Sequence, residues 1–309
     1  ILHADMRDNL VAITEMGQAG MIGVHQLSDQ AMPAPDVVGV PSGQRIVSLL
    51  ALPLDKPELP GYLFMATRLG VVKRVTLADL AKSFGTFSVM NVADDDAIVS
   101  VRVTAGEGEV MLVTARGQAI RFIEEDVRPM GFNAGGVAGI KLVNEDVVVA
   151  ADIVAEDQEA AIITEQGSGK RTPLSEYPKQ GRAGQGVIGI KIAGGDAVAG
   201  FAIVAPKDDV ALTTSRGRTK LIKGKLFKSL GRATGGYGVQ HVLKNEIIAA
   251  LIKPQMRIDE PETVEAAPEP KQLELLSATP QKPVKSAKPE KAEKKKAQPA
   301  KAKTKAKAK

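Results

Sequence analysis

The sequence contains no cysteine and no tryptophan, and aromatic residues make up only 3% of its 309 residues. Without cysteine the protein can form neither a disulfide nor a thiolate metal site, so a reducing compartment is expected. The three histidines (His3, His25 and His241) lack the spacing of a metal site. No apolar run approaches the ~18 residues of a membrane helix, so no membrane association is expected. Because aromatic residues are so few, any hydrophobic core must be built mainly from aliphatic side chains.

Charge is unevenly distributed along the chain, whose net charge is +5. Residues 254–309 hold 14 Lys and Arg against 8 Asp and Glu, which leaves residues 1–253 nearly neutral with 27 against 28. The segment after residue 253 is rich in Pro, Ala, Glu and Lys and has too little apolar surface to offset its ordering entropy. We expect a disordered tail over 254–309 that is first acidic and then basic.

A repeat of about 50 residues organises the rest of the chain. Its landmark is a threonine followed three residues later by a glycine: Thr14/Gly17, Thr67/Gly70, Thr114/Gly117, Thr164/Gly167 and Thr214/Gly217. A short apolar run rich in β-branched residues precedes each pair, and a mixed basic and apolar run follows it. This pattern predicts a strand, a tight turn with glycine at positive φ, and a returning strand. The threonine hydroxyl is expected to stabilise the turn.

Each later repeat continues with a polar segment, a glycine-rich loop, a strand, an acidic turn and a final strand. The loops lie at residues 128–136, 178–186 and 228–236. About four strands per repeat predict an all-β, propeller-like fold of about five four-stranded blades. We expect one domain over residues 1–253, and its repeats to span about 1–52, 53–104, 105–154, 155–204 and 205–253.

The sequence shows no catalytic constellation. Gly167-Ser-Gly-Lys170 has some of the residues of a phosphate-binding loop, but Thr164 stands where the first glycine belongs. Tyr62, Tyr177 and Tyr237 fall at strand or loop positions of the repeat and are interpreted as packing residues. We therefore expect no catalytic residue, metal or cofactor within this chain.

Basic residues recur at fixed positions of the repeat, and this recurrence suggests DNA binding. Because a repeat converts sequence position into angular position, such residues would form a stripe that meets phosphates without reading bases. The alternative is that they are ordinary solvated strand residues, above all for Lys73 and Lys220. The candidates are Lys73, Arg74, Arg121, Arg128, Lys170, Arg171, Lys179, Arg182, Lys220, Lys223, Lys228 and Arg232.

Several strings in this order and at this period resemble the C-terminal domain of the A subunit of bacterial type IIA topoisomerases, DNA gyrase above all. They are Val110-Met-Leu-Val-Thr-Ala-Arg-Gly117, Val127-Arg-Pro-Met-Gly131, Gly135-Gly-Val-Ala-Gly-Ile-Lys141, Gly169-Lys-Arg-Thr172, Tyr177-Pro178 and Gly186-Val-Ile-Gly-Ile-Lys191. The resemblance covers roughly residues 1–253. It implies a β-pinwheel, in which neighbouring blades exchange strands, with DNA bending around its outer rim.

The family's signature heptapeptide, Gln-Arg-Arg-Gly-Gly-Lys-Gly, has no strict copy here. The nearest match is Gln180-Gly-Arg-Ala-Gly-Gln-Gly186, which adds Gln180 to the candidate DNA-binding residues. The family usually has six blades with the strict motif in the first. We therefore expect this chain to be a fragment that starts downstream of that blade. The open alternative is a topoisomerase IV-like protein with a changed motif.

The resemblance also implies partners and a location. They are double-stranded DNA, the rest of the A subunit, and the B subunit with its ATPase, in the bacterial cytoplasm at the nucleoid. ATP and Mg²⁺ would be used by those other domains and subunits. The parent enzyme would be an ATP-hydrolysing type II topoisomerase whose catalytic site lies outside this chain. A rival interpretation is a propeller that binds proteins and has DNA affinity only in its tail.

Overall fold

The fold is seen in a computed structural model of the chain, which describes residues 4–53 and 59–253. Internal contacts divide the chain into a unit of Ile1–Pro261 and a unit of Glu262–Lys309. The second unit and the whole of the expected disordered tail, 254–309, lie outside the described residues. No helix among the described residues is long and apolar enough to cross a membrane.

Short antiparallel strands make up nearly all of the regular structure in the described ranges. They are β1 (Asp8–Thr14), β2 (Gln18–Gly23), β3 (Ile46–Pro53), β4 (Tyr62–Thr67), β5 (Val71–Thr76), β6 (Gly85–Ser88), β7 (Ile98–Thr104), β8 (Glu109–Thr114), β9 (Gln118–Ile123), β10 (Val137–Ala138), β11 (Val148–Val154), β12 (Glu159–Thr164), β13 (Ser168–Pro173), β14 (Val187–Ile188), β15 (Val198–Val204), β16 (Asp209–Thr214), β17 (Thr219–Lys223), β18 (Tyr237–Gly238) and β19 (Ile248–Ile252). Two short α-helices, α1 (Ala34–Val38) and α2 (Leu77–Ala81), and 3-10 turns at Val24–Gln26, Glu124–Asp126, Leu174–Glu176 and Gly224–Leu226 connect them.

Each of the first four sheets, blades 1 to 4, contains three strands of one repeat and a fourth strand from the next repeat. The strand orders are β3-β1-β2-β6, β10-β5-β4-β7, β11-β8-β9-β14 and β15-β12-β13-β18. In blade 4, for example, Tyr237 of the fifth repeat lies opposite Gly169 of the fourth. This exchange confirms the propeller-like β-pinwheel.

Blade 5 has only three strands in the described residues, in the order β17-β16-β19. The prediction of four strands is therefore corrected for this blade. The fourth strand of every other blade comes from the following repeat, and no further repeat follows β19 in the part of the chain that the structure describes. Within the described residues the β17 edge is consequently unpaired, and Leu221 on it is 64% exposed.

The hairpin turns have the predicted chemistry. The five turn glycines have φ values between 75° and 81°, a region that glycine enters without a steric penalty. In the fourth repeat, the hydroxyl of Thr164 accepts a hydrogen bond from the N–H of Ser168 at 3.2 Å. Thr14, Thr67 and Thr114 make the same bond in their own repeats. The structural role expected of the threonine is therefore confirmed in these four repeats.

The cores lie between successive blades, because alternate residues of each repeat's first strand face opposite neighbours. Val11 and Ile13 of blade 1 pack against Leu63 and Met65 of blade 2. Blades 2 and 3, 3 and 4, and 4 and 5 are joined by equivalent clusters. Since both sides of each strand are covered, these strands are apolar almost throughout.

The five inner strands, β3, β7, β11, β15 and β19, surround the axis of the pinwheel. A cavity of about 460 Å³ there is lined by one or more residues from every inner strand, among them Ser48, Ser100, Ala150, Gly200 and Ala250. The hairpins and glycine loops consequently lie farther from the axis. This placement puts the loops of successive repeats along the outer surface.

Candidate nucleic-acid interface

Two of the predicted DNA-binding lysines, Lys73 and Lys170, are completely buried. The Lys170 ammonium donates to the backbone carbonyls of Gly231, Arg232 and Thr234 at 2.5–3.1 Å. The Lys73 ammonium donates to the carbonyls of Val89, Phe132 and Ala134 at 2.7–2.9 Å. Burial lowers the pKa of each to about 8. The prediction of direct phosphate contact is corrected for both lysines, because their charges point into the protein.

Three predicted arginines face the next repeat. Arg74 is buried, stacks on the Tyr62 ring at 4.2 Å and pairs with Glu124 at 3.5 Å. Arg121 is half-buried, pairs with Glu109 and donates to the carbonyl of Leu174 at 2.7 Å.

Arg171 is buried in the same way one repeat later. It pairs with Glu159 and donates to the carbonyl of Phe227 at 2.8 Å. The guanidinium groups of Arg74, Arg121 and Arg171 therefore connect successive blades, and the prediction that they bind DNA directly is corrected for the buried Arg74 and Arg171. The signal that sequence reasoning missed is the apolar residue on either side of Arg121, which indicates a strand covered on both faces.

The glycine loops carry the arginines that remain accessible. Arg182 is half-buried, and its guanidinium donates to the carbonyls of Asp126 and Ala138 at 3.1 and 2.9 Å. One repeat later, Arg232 donates to the carbonyl of Ile188 at 2.5 Å. Both arginines thus bridge to the preceding repeat. A guanidinium has five N–H donors, so each retains donors for a phosphate.

The other loop candidates lie close by. Arg128 is exposed, and Gln180 is half-buried with its backbone N–H bonded to the Arg121 carbonyl at 2.8 Å. Lys179 is 60% exposed and pairs with Glu109. Hydrogen bonds from Lys179 and Arg121 lower the pKa of Glu109, although its burial alone would raise it. Lys228 is exposed, with its ammonium 4.6 Å from the centre of the Tyr237 ring.

Lys220 and Lys223 lie on β17, at the edge of the three-stranded sheet described for blade 5, and are exposed. Lys223 pairs with Asp209 at 2.8 Å, and half of each side chain remains exposed. Lys220 forms no hydrogen bond or ion pair with the described residues. Both lysines are therefore accessible to a phosphate. Lys73 and Lys170, which occupy the place of Lys220 in their own repeats, are not.

Sequence reasoning missed Lys141 and Lys191, which follow the exchanged strands β10 and β14. Both are exposed. The N–H of Lys141 donates to the carbonyl of Gly184 at 2.9 Å, and that of Lys191 to the carbonyl of Thr234 at 3.0 Å. Each lysine is therefore beside the glycine loop of the next repeat. Their 50-residue spacing after the shared Gly-Ile pair was the signal that could have identified them.

Cations consequently cluster where successive repeats meet on the outer surface. We call these groups the joint clusters: Lys141, Lys179 and Arg182 form the cluster of repeats 3 and 4, and Lys191, Lys228 and Arg232 form that of repeats 4 and 5. The acidic turns are directed elsewhere: the Asp146 and Asp196 carboxylates accept the N–H of Arg116 and Gln166 in the hairpin turns of their own repeats, at 3.0 and 3.1 Å. Two other carboxylates lie at the joint clusters: Glu109 pairs with Lys179, and Glu176 accepts the N–H of Arg232 at 2.6 Å.

The tyrosines have packing roles, as predicted. Tyr62 stacks under Arg74, and the Tyr237 hydroxyl donates to the carbonyl of Leu226. Tyr177 is 2% exposed in the core between blades 3 and 4, and burial raises its pKa to about 12. Among the described residues, no group of three or more His, Asp and Glu side chains could hold a metal ion.

The fold and these clusters define a class of protein: a strand-exchanged β-pinwheel with cations repeated at the joints of its outer surface. A family described as "DNA gyrase C-terminal domain, beta-propeller" matches residues 61–105, 108–155, 158–205 and 208–242, which is more than half of the chain. The chain belongs to this family. The matched ranges begin in the second repeat. The first repeat is assigned to the same domain by its structure, because its sheet includes β6 of the second repeat.

Relatives of known name agree with this assignment. The chain is 34% identical over 149 residues to the DNA gyrase A protein of Salmonella typhimurium and 31% identical to that of Haemophilus influenzae. Each match covers 46% of this chain and 17% of the relative, so it spans about a sixth of the relatives' length.

Solved structures share the fold. The C-terminal domain of DNA topoisomerase IV matches with a TM-score of 0.74 and 25% identity, over 81% of this chain and 80% of that chain. The DNA gyrase A C-terminal domain matches with a TM-score of 0.70 and 22% identity, over 81% and 83%. The chain is therefore the C-terminal domain of the A subunit of a type IIA topoisomerase, of either the gyrase or the topoisomerase IV kind.

Proposed function

We propose that this domain binds double-stranded DNA without reading its sequence and bends it around the outer surface of the pinwheel. The observation that supports the proposal is the repetition of the joint clusters at the same place in successive repeats. Lysine and arginine bind phosphates, and a repeated arrangement contacts them at several places along one duplex. Nothing in the clusters resembles a base-reading helix or ribbon, so affinity is expected to be independent of sequence.

Bending is the costly part of this function. Smoothly bending a site of 20–30 bp by 40–90° costs roughly 1–6 kcal/mol. One phosphate contact cannot offset that cost, so contacts must be distributed over several blades. The joint clusters, together with Arg128 and Lys220, supply such a distribution. Loss of a single cation should therefore weaken binding gradually and not abolish it.

The parent enzyme belongs to the same proposal. The domain would act in the bacterial cytoplasm beside the rest of the A subunit, together with the B subunit and its ATPase. ATP and Mg²⁺ would be used by those other parts, while this domain holds DNA. In the gyrase branch, wrapping by this domain would set the chirality of the DNA crossing and so support ATP-dependent supercoiling.

The second candidate is the topoisomerase IV branch, in which the domain recognises DNA geometry. It is favoured by the absence of a strict Gln-Arg-Arg-Gly-Gly-Lys-Gly motif and by the structural match to a topoisomerase IV C-terminal domain.

Topoisomer analysis separates the candidates. The full chain and residues 1–253 are bound to nicked circular DNA, the nick is ligated, and the products are resolved on a gel. A shift in linking number with both proteins supports wrapping in the gyrase manner. Binding without a shift supports the topoisomerase IV branch. If residues 1–253 do not bind while the full chain does, DNA affinity belongs to the tail and the proposed function of the blades is wrong.

A further inference from the structure

We propose that Lys170 is a positioning residue: it clamps the glycine loop of the fifth repeat from inside, and so holds Arg232 in place for DNA. Lys73 clamps the loop of the third repeat in the same way. The clamps rest on hydrogen-bond geometry, and their consequence for DNA rests on the proposed function. Lys170 would therefore serve DNA binding without touching DNA.

The geometry of Lys170 is that of a clamp across a joint between repeats. Its side chain belongs to β13 of the fourth repeat, yet its ammonium bonds to Gly231, Arg232 and Thr234 in the fifth. Three carbonyl oxygens from a four-residue stretch thus converge on one cation. A Lys ammonium has three N–H donors, so all of them can be used by this loop. The arrangement fixes the loop backbone at the residue that carries the accessible guanidinium.

Lys73 repeats this arrangement between the second and third repeats. Its ammonium bonds to Phe132 and Ala134, which correspond to Arg232 and Thr234 by their place in the loop, and additionally to Val89. The two clamps therefore share two backbone acceptors at the same places of different loops. Of the two clamped loops, only that of the fifth repeat carries an arginine at the clamped position, so only Lys170 positions a cation directly.

The chain contains two natural comparisons at the same place in the repeat, three residues after the turn glycine. Ile120 in the third repeat is buried and has no charge, so a strand with an aliphatic residue here folds. Lys220 in the fifth repeat is exposed, because no glycine loop of a following repeat covers it in the described residues. The same residue type is thus a clamp where a loop follows and a free cation where none does.

The test uses Lys170→Ile in the full chain, a replacement that the position of Ile120 supports, with Lys220→Ile as the matched control. Amide hydrogen exchange is measured at Gly231–Thr234. We expect exchange there to accelerate about tenfold or more in Lys170→Ile, since three carbonyls lose their partner, and to stay unchanged in Lys220→Ile. Unchanged exchange in Lys170→Ile overturns the clamp.

DNA binding tests the positioning role separately, by a double-variant cycle with Arg232→Ala on a duplex at several salt concentrations. Each single variant should weaken binding about three- to eightfold at 0.1 M salt, the loss of about one phosphate contact. The double variant should be no weaker than Arg232→Ala, because Lys170 acts through that residue. Additive losses would mean that Lys170 contributes independently, and the positioning role would be wrong.

The two failures are distinguishable. If the unaltered chain does not bind DNA, the proposed function fails, while hydrogen exchange still decides whether the clamp exists. If Lys170→Ile does not fold, Lys73→Ile takes its place, with exchange read at Gly131–Ala134. Faster exchange there supports the clamp, and unchanged exchange overturns it.

Discussion

The Arg102 guanidinium on β7 donates to the carboxylate of Asp152 on β11 at 2.8 Å. The other oxygen of the same carboxylate accepts the N–H of Ile203 on β15, also at 2.8 Å. One acidic side chain therefore links the inner strands of three successive blades beside the central cavity. The carboxylate is 12% exposed and the guanidinium 23%, so water replaces these bonds poorly.

Replacing Asp152 with alanine should accordingly destabilise the pinwheel. The change leaves the Arg102 charge and the Ile203 N–H without their partner, at an expected cost of about 2–4 kcal/mol in the free energy of unfolding. The matched control is Asp209→Ala, whose pair with Lys223 is half exposed and should be worth less than about 1 kcal/mol. Urea unfolding of both variants measures the difference. Equal losses in the free energy of unfolding would show that the Asp152 link between blades stabilises the protein no more than a surface ion pair does.

The hairpin glycines allow a second comparison. Gly167 and Gly217 have similar φ values of 81° and 75°. A Cβ on Gly167 would overlap the backbone carbonyl of Gln240 from the next repeat, whereas nothing lies within 4 Å of one on Gly217. Gly217→Ala should therefore cost only the left-handed backbone penalty of roughly 1–2 kcal/mol.

Gly167→Ala should cost about 1–3 kcal/mol more than Gly217→Ala, because the backbone at Gln240, just after the exchanged strand β18, must move away from the turn. Thermal and urea unfolding of the two variants measure this. Similar midpoints for both would mean that the fifth repeat does not press on the fourth-repeat turn.

DNA affinity should respond to salt in proportion to the cations in the joint clusters. Arg182→Ala and Lys191→Ala should each lower the slope of log K against log salt by about 0.9, and their losses should add. Arg45→Ala is the control, because Arg45 lines the central cavity and pairs with Glu15. Fluorescence anisotropy on a labelled duplex gives the slopes. If Arg45→Ala lowers the slope as much as the other two variants, DNA binding is not specific to the joint clusters.

The depressed pKa of Lys170 predicts a dependence of stability on pH. Burial lowers this pKa to about 8 in the folded protein, from 10.5 in an unfolded chain, with Glu176 and Arg232 as the nearby charges. Between these values the unfolded chain binds more protons, so folding is favoured as pH rises. The contribution is complete above 10.5 and is lost as pH falls through about 8.

The free energy of unfolding of the unaltered chain, minus that of Lys170→Ile, should therefore increase from pH 8 to pH 10. The increase can reach about 1.4 kcal/mol per pH unit. Subtracting the variant removes the titration of all other groups to first order. A difference that is flat with pH would show that the Lys170 ammonium keeps an ordinary pKa despite its burial.

Much of the fold could be predicted from residues alone. The threonine and glycine landmarks identified the hairpins, because a positive-φ turn between β-branched runs has few alternatives. The 50-residue period predicted the blades. Strand exchange was accessible only through the family resemblance, since no single repeat shows that Tyr237 pairs with Gly169.

The site was predicted less well, and Lys73, Lys170 and Lys220 show why. The sequence by itself determined the repeat, its turns, its family and the place of each lysine within the repeat. Only the tertiary structure decided that Lys73 and Lys170 are buried clamps and that Lys220 is exposed. The physical reason is that burial depends on which loop of a following repeat covers the strand, and a period determines phase along the chain without determining neighbours in space.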